Sequence, residues 1–495
     1  MSKIITSRKD IKNQKKKIVL CHGVFDIFHI GHLMHLKNAK THGDILVVSI
    51  TADKFVNKGP GRPYFNQSYR ALILSALDFV DYVYISKSIT AEKVLLDIKP
   101  DFYVKGHEYF DPKNDVTGNI EIEKKILKKI CGKIIYTYDK KFSSTELLNN
   151  LFDIFSEEQK EFLIKLKKKY NKKKILELIE SFSSFKITLV GDALIDNYTF
   201  VSALGLASKS PAISSKYLYE ESYSGGVIAI AEMLASLGCK VDLVLYNYKD
   251  KETNKFLGRI SNNIKVYFNS ISKKTNTIPT KTRFLNKTRD IKLFQISKIK
   301  EIKLTTQEEK NYLNNIKNSI KKTNFIIVLD FGFGVFNKNF INKIYKITSK
   351  IFVNVQTNSD NYGFNFFTKY KKYNYLSIDQ REFELGSREK INFKKLNNII
   401  NKKNYLSITL GERGSLFCNK KKFISCPSFF LNAKDTTGCG DAYFAITSLL
   451  LKMGYKDEIV PFLGNCYAGL HSKIIGNKFV PSKIDLSKTI TTLLQ

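Results

Sequence analysis

The chain has 495 residues, 43% of them hydrophobic and 13% aromatic, which is ample for more than one buried core and allows two or three domains. Lys and Arg outnumber Asp and Glu by 81 to 46, a net charge of +35. The lysines are spread through Lys/Asn/Ile-rich runs, so the excess reads as compositional bias and not as a nucleic-acid or membrane patch. Seven cysteines, at 21, 131, 239, 418, 426, 439 and 466, are odd in number and form no CxxC pair, which argues against a disulfide framework or structural zinc and fits a reducing cytoplasm.

No stretch approaches the ~18–20 apolar residues a spanning helix needs. The basic N-terminus is followed by a short apolar run with a histidine and no small-residue cleavage site, so no signal peptide is expected. From there apolar strands alternate with amphipathic helices. The pattern predicts strands at 16–24, 44–51, 81–86 and 101–106, with helices at 32–43, 70–79 and 91–98. That alternation predicts an α/β fold with a doubly wound, Rossmann-like parallel sheet, whose ligands sit beyond the carboxyl ends of the strands. Residues 149–184 are charged and helical in pattern, and read as a helical linker or dimerisation element. At 186–196 (KITLVGDALID) a strand opens a second strand–helix alternation that runs to the C-terminus.

Two junctions carry chemistry. In the first, GVFDIFHIGHLMHL (23–36), His29, Gly31 and His32 form HxGH between a strand and a helix. A helix N-terminus binds phosphate through unpaired N–H groups and its positive dipole end. Two imidazoles there can donate to a triphosphate and stabilise charge developing on the α-phosphate, and glycine permits close backbone approach. In the second, KDTTGCGDAYFAITSLLL (434–451), Gly438, Cys439 and Gly440 offer successive N–H groups to an anion. Asp441 follows at the helix start, where a carboxylate can act as general base or simply cap the helix. The histidines at 22, 35, 42, 107 and 471 read as structural or solvated. His35 lies three positions beyond His32 on one predicted helix, but with no carboxylate or Cys nearby at ligand spacing no metal site is expected there.

The first segment resembles the HxGH cytidylyltransferase-like nucleotidyltransferases. The likeness continues through KGPGRPYFNQSYR (58–70), the stretch 78–109 and FSSTELL (142–148). The resemblance implies catalytic roles for His29 and His32. It implies nucleotide contacts from Gly23, Phe25, Asp26 and Gly31, from the basic Lys58, Arg62 and Arg70, from Lys105 and Gly106, and from Ser143, Ser144 and Thr145. Within that superfamily the segments look most like the adenylyltransferase half of the ADP-heptose synthases. This implies attack by a sugar 1-phosphate on the α-phosphate of ATP, with Mg²⁺ and release of pyrophosphate. ATP against CTP stays open, since spacing does not set the base.

The second segment resembles the D-T-x-G-A-G-D signature of the ribokinase-like (PfkB-type) carbohydrate kinases. GDALIDNY (191–198), SGGVIAIAEMLASLG (224–238) and YLSITLGERGS (405–415) follow the family order. The likeness implies Asp441 as catalytic base and nucleotide contacts from Thr409, Gly411, Gly414, Gly438, Cys439 and Gly440. It implies sugar contacts from Asp196, Gly225 and Gly226, and Mg²⁺ near Asp379 and Glu382. Three departures fall mostly on the sugar side. Ala229 replaces a substrate-binding Asn, Asp379 replaces the Asn of N-x-x-E, and 203–215 lacks the Arg of heptose kinases, so phosphoryl transfer is expected to be kept with an acceptor other than the usual heptose 7-phosphate.

Together the two resemblances look like an ADP-heptose synthase with its domains in reversed order: a nucleotidylyltransferase at 1–148, the linker, and a ribokinase-like domain at 185–495. They imply a cytoplasmic enzyme that phosphorylates a sugar phosphate and makes an NDP-sugar for a surface polysaccharide or lipopolysaccharide. It would be a homo-oligomer through the kinase-like domain, with no nucleic-acid partner and no membrane insertion. The alternative is a monofunctional nucleotidylyltransferase whose kinase-like domain is inactive.

Overall fold

The apolar runs of the N-terminal third pair side by side as a parallel sheet. A computed structural model of the protein describes residues 3–12, 15–56, 62–88, 90–107, 119–137, 155–246, 257–258, 260–269, 278–287, 291–359, 361–392, 396, 404–419, 422–430 and 432–494. They form two compact units, one of Met1–Leu163 with Ser487–Gln495 and one of Ile164–Leu486.

In the first unit the strands are β1 (Ile4–Ile5), β2 (Ile18–Gly23), β3 (Ile45–Thr51), β4 (Tyr82–Ser86), β5 (Phe102–Gly106) and β6 (Lys133–Thr137). They lie in the order β1-β4-β3-β2-β5-β6, and every pairing is parallel. Helices α1 (Ile30–Lys40), α2 (Gln67–Ser75), α3 (Glu92–Ile98) and α4 (Asn119–Lys129) intervene. Successive residues of one strand serve opposite faces: Ile18 and Leu20 join one apolar layer, Val19 and Cys21 the other. Both faces are covered, which is why these strands read as unbroken apolar runs. The chain winds outward from β2 through β3 to β4, then crosses to β5 on the other flank of β2. The switch point therefore lies beyond the carboxyl ends of β2 and β5.

Of the stretch 149–184, residues 149–154 lie outside the described residues; helices α5 (Glu157–Lys169) and α6 (Lys172–Glu180) take up most of the rest, and α6 buries Ile175, Leu178 and Ile179. The second unit is built on β7 (Lys186–Gly191), β10 (Lys240–Tyr246), β11 (Ile264–Asn269), β14 (Ile326–Asp330), β15 (Ile351–Val355), β16 (Tyr375–Asp379), β17 (Tyr405–Thr409), β18 (Ser415–Asn419) and β19 (Lys422–Cys426). Their order is β11-β10-β7-β14-β15-β16-β17-β18-β19, parallel up to β17 and antiparallel for the last two. Helices α7 (Val227–Ser236), α8 (Thr306–Ile320), α9 (Lys338–Ile347), α10 (Gln380–Ser387), α11 (Cys439–Lys452) and α12 (Ile459–His471) follow, before α13 (Lys483–Leu493). Helices α11 and α12 are buried almost all round, as their nearly continuous apolar sequences require.

Strand–helix alternation does not predict the second sheet of this unit. It comprises β8 (Ala193–Leu206), β9 (Ile213–Gly226), β12 (Thr280–Asn286) and β13 (Ile291–Lys298), in the order β13-β12-β8-β9. The segment 203–215, singled out for lacking Arg, is the far end of the β8–β9 hairpin and carries exposed Leu204, Leu206 and Ile213. Among the described residues no helix is long and apolar enough to cross a membrane.

Candidate active sites

The HxGH loop leaves β2 at the switch point. Two non-glycine residues there, Phe25 (φ 50°) and Ile27 (φ 44°), adopt the left-handed conformation. Such strain persists where surrounding structure enforces it. The enforcing contact lies between them. Asp26 is buried, and its carboxylate accepts from Tyr64 N at 2.8 Å and Phe65 N at 3.1 Å, with Arg62 Nη1 at 3.9 Å. Burial lowers the Arg62 pKa to about 10, against the pull of Asp26, so it stays cationic at neutral pH.

His29 is the N-cap of α1. Its Nδ1 accepts from Gly31 N at 3.1 Å and His32 N at 3.4 Å. A neutral imidazole that accepts at Nδ1 carries its proton on Nε2, so the cap fixes His29 as an Nε2 donor. Burial also lowers its pKa, favouring that neutral form. The His32 ring stacks on it at 3.9 Å between centroids, with Phe25 edge-on to His32 at 5.2 Å. The first-turn amides of Gly31 and His32, expected to face phosphate, are thus taken by His29 in this structure.

Two expected phosphate contacts have other work. Arg70 is buried. It donates from Nε to Phe65 O (2.9 Å), from Nη1 to Val24 O (2.6 Å), and from Nη2 to Thr51 O (2.9 Å) and Asp53 Oδ1 (2.6 Å). It braces the HxGH loop against β3 and has little left for an anion. Lys105, near the end of β5, pairs with Glu123 of α4 at 3.0 Å and lies over the Tyr103 ring. Gly106 ends the same strand, and Gly23 ends β2. Lys58, Ser143, Ser144 and Thr145 lie outside the described residues. His22 and His35, read as structural, bond Ser49 Oγ (3.0 Å) and Thr137 Oγ1 (2.8 Å).

In the second unit a cavity of about 420 Å³ opens at the N-terminus of α11, lined by Thr409, Gly411, Gly414, Asp379, Glu382 and the Gly438–Asp441 turn. Gly438 caps the helix at φ 81°, and a Cβ there would stand 2.8 Å from His471 Nε2, so only glycine fits. Nothing lies within 4 Å of a Cβ built on Gly440, which leaves room for an anion against the turn. Asp441 is buried in the first turn. Its pKa is pushed up to about 7, first by desolvation and then by the charge of Asp196.

Asp379 and Glu382 form the capping box of α10. Asp379 Oδ1 accepts from Glu382 N (2.7 Å), while Glu382 accepts from Asp379 N (2.8 Å) and Thr357 N (2.9 Å). Burial raises Glu382 to about 8, with Asp379 and Asp441 adding to it. A buried carboxyl raised by neighbouring carboxylates suits a cation, and Asp379 and Glu382 both face the cavity. No third His, Cys, Asp or Glu completes a metal cluster among the described residues, so water and phosphate oxygens would supply the other ligands.

In the four-stranded sheet, where sugar contacts were expected, buried Asp196 of β8 forms an ion pair with Arg283 Nη1 of β12. Arg283 and Lys281, two residues apart, share one face of β12, with Lys281 opposite Asp196. A Cβ on Gly225 would lie 2.7 Å from Asp196 Oδ2, so the glycine leaves space for that carboxylate. Tyr198 Oη donates to Asp435 at 2.9 Å, and Lys292 of β13 reaches Asp435 (2.7 Å) and Thr437 Oγ1 (2.9 Å). Burial would raise Asp435, but Lys292 and backbone amides bring it down to about 2. The small sheet thus sets Arg283 on Asp196, Lys281 where its charge acts on Asp441, and Lys292 on Asp435 and Thr437 just ahead of the Gly438–Asp441 turn. The sequence signal was present as K-x-R at 281–283, but its meaning depends on a pairing with β8 that no local pattern shows.

Two family models match the chain: cytidylyltransferase-like over residues 20–150, and pfkB family carbohydrate kinase over residues 184–470. The chain belongs to the pfkB family of carbohydrate kinases. Ahead of that pfkB region it carries the cytidylyltransferase-like unit. Its N-terminal region is similar to the "Bifunctional protein HldE" of Aliarcobacter butzleri, 39% identical over 142 residues, which is 28% of this chain and 30% of that one. The protein of the same name from Geobacter metallireducens is 33% identical over 150 residues, 30% of this chain and 29% of that one. The matched part therefore spans about 30% of these relatives' length. The pfkB unit shares its fold with phosphofructokinase-2 from Escherichia coli in complex with substrates and products. That likeness has a TM-score of 0.50 at 13% identity and covers 63% of this chain and 100% of that one.

Proposed function

We propose that the chain is a bifunctional enzyme: a sugar-phosphate kinase and a sugar-1-phosphate nucleotidylyltransferase that make an NDP-sugar. The observation that carries this reading is that one chain holds two strand-to-helix junctions, each with polar groups suited to a nucleotide polyphosphate.

In the pfkB unit, Asp441 takes the proton of the acceptor hydroxyl as that oxygen attacks the γ-phosphorus of ATP, and ADP leaves. The amides around Gly440 face the charge that develops. Asp196, Gly225 and Gly226 hold the sugar, while Thr409, Gly411 and Gly414 border the nucleotide cavity. A Mg²⁺ near Asp379 and Glu382 would neutralise phosphate charge. In the first unit, a phosphate oxygen of a sugar 1-phosphate attacks the α-phosphorus of ATP or CTP, and pyrophosphate leaves. His29 donates from Nε2 with His32 stacked on it, and Arg62, held near Asp26 of the same loop, adds positive charge. The resemblance to ADP-heptose synthases makes a heptose phosphate the first acceptor to test, with a product destined for a surface polysaccharide or lipopolysaccharide. Free thiols and the need for nucleoside triphosphates support a cytoplasmic setting. The exposed apolar ends of β8 and β9 support self-association through the kinase unit.

The test crosses ATP and CTP against sugar 1-phosphates and reads pyrophosphate. In parallel, ADP release is read across sugar phosphates. Pyrophosphate with no sugar 1-phosphate pair would refute the first activity. One observation favours the second reading, an inactive kinase-like unit: Arg283 already occupies Asp196. No ADP release above that of Asp441→Asn across the sugar phosphates would establish it.

A further inference from the structure

One carboxamide pair in the kinase cavity is aimed at the base. Gln356 follows β15 and lines the cavity, and its Nε2 donates to Asp441 Oδ1 at 2.6 Å. The same Nε2 donates to Asn354 Oδ1 at 3.1 Å. Asn354 in turn donates from Nδ2 to Ser377 O at 2.9 Å, across the β15–β16 pairing. The direction of this relay is not free. A backbone carbonyl can only accept, so Asn354 must turn its amino group toward Ser377 and its oxygen toward Gln356. Gln356 must therefore offer its amino group to Asn354, and the second N–H of that group reaches Asp441. Gln356 is also fixed along its backbone, with its N donating to Asp330 O (2.9 Å) and its O accepting from Asn365 Nδ2 (3.1 Å).

We propose that Gln356 is a positioning residue for Asp441, holding one carboxylate oxygen as an acceptor so that the other faces the incoming hydroxyl. The inference rests on the kinase reading of this cavity. Asp441 is hemmed in by Asp196 of β8, which opposes its charge, by Lys281 of β12, which favours it, and by Glu382 of α10. Gln356 is the neutral donor that favours the ionised base without adding charge where a triphosphate must bind. A glutamine that merely filled space would need no partner of fixed polarity behind it.

The experiment uses the full chain with ATP and mannoheptose 7-phosphate, fructose 6-phosphate or ribose 5-phosphate, reading ADP release from pH 5 to 9. The variants are Gln356→Leu, Gln356→Lys and Asp441→Asn. Gln356→Leu is expected to lose about tenfold in kcat at neutral pH with the KM for ATP held within about twofold, and to move the acid limb upward by about one pH unit. Gln356→Lys restores a donor, so its acid limb is expected at or below that of the unsubstituted enzyme. If both variants move the limb the same way, or neither moves it, while Asp441→Asn is silent, Gln356 has no positioning role. A silent unsubstituted chain, or undiminished turnover in Asp441→Asn, overturns the kinase reading and takes this inference with it.

Discussion

Replacing Asp441 with Asn should make the protein more stable as it removes kinase turnover, and the gain should depend on pH. The carboxyl is buried, and its pKa stands at about 7 against an ordinary 3.8. A raised pKa means the folded chain holds the proton more tightly than the unfolded chain. Stability linked to Asp441 is thus fully present below pH 3.8 and is lost as pH rises through 7. Some three pH units at ~1.4 kcal/mol each give about 4 kcal/mol lost by pH 8, about 1.6 kcal/mol by pH 5 and almost nothing at pH 3. Asn carries no charge to bury, and its Oδ1 can still accept from Gln356. For the unit Ile164–Leu486, a melting entropy of ~2.1 cal/mol/K per residue converts these values to gains of about 6 °C at pH 8 and 2–3 °C at pH 5. Thermal unfolding of the full chain at the two pH values checks this. Equal gains at both, or none at pH 8, would mean that Asp441 is not held in a desolvated site.

The cap and the donor of His29 can be separated. His29→Ala should cost about 1 kcal/mol of stability and 100-fold or more in pyrophosphate release, whereas His29→Asn should recover the stability and not the rate, as denaturation and turnover together would show. Arg70→Lys cannot span the four acceptors of the guanidinium and should destabilise the first unit by about 3 kcal/mol in denaturant; less than about 1 kcal/mol would contradict the brace. Arg283→Ala should raise the KM for a phosphorylated acceptor about tenfold and leave that for ATP alone. A fall in that KM would instead mark Arg283 as a plug over Asp196.

The contrast between what could and could not be read from the chain follows sequence distance. Strands β2 to β5 and helices α1 to α3 lie within a few residues of their expected spans, because a covered parallel strand and an amphipathic helix each write a period into adjacent residues. The two candidate junctions, at His29–His32 and Gly438–Asp441, stand out in the sequence for the same reason, since each is a run of adjacent residues. Arg70 was legible only as a basic residue. Its role is fixed by Val24 and Thr51, which the fold brings to it from 46 and 19 residues away. Gln356 meets Asp441 across 85 residues and stood in no motif at all. The four-stranded sheet escaped because its β8–β12 pairing is parallel, between strands far apart in the chain.

The pair Asp379 and Glu382 shows why a motif can be found and still be ambiguous. D-x-x-E at a helix start is a capping box on local grounds, and two carboxyls facing one cavity would suit the proposed cation on tertiary grounds. The two roles are compatible because each carboxylate oxygen has a second lone pair after accepting its amide hydrogen bond. His29 repeats the pattern in the other unit. Capping consumes Nδ1 and thereby forces the proton onto Nε2, so the structural bond sets the tautomer that the proposed phosphate chemistry would use. In both sites the helix terminus organises the side chain that caps it. A residue found capping such a helix is therefore not, on that ground, excluded from the chemistry.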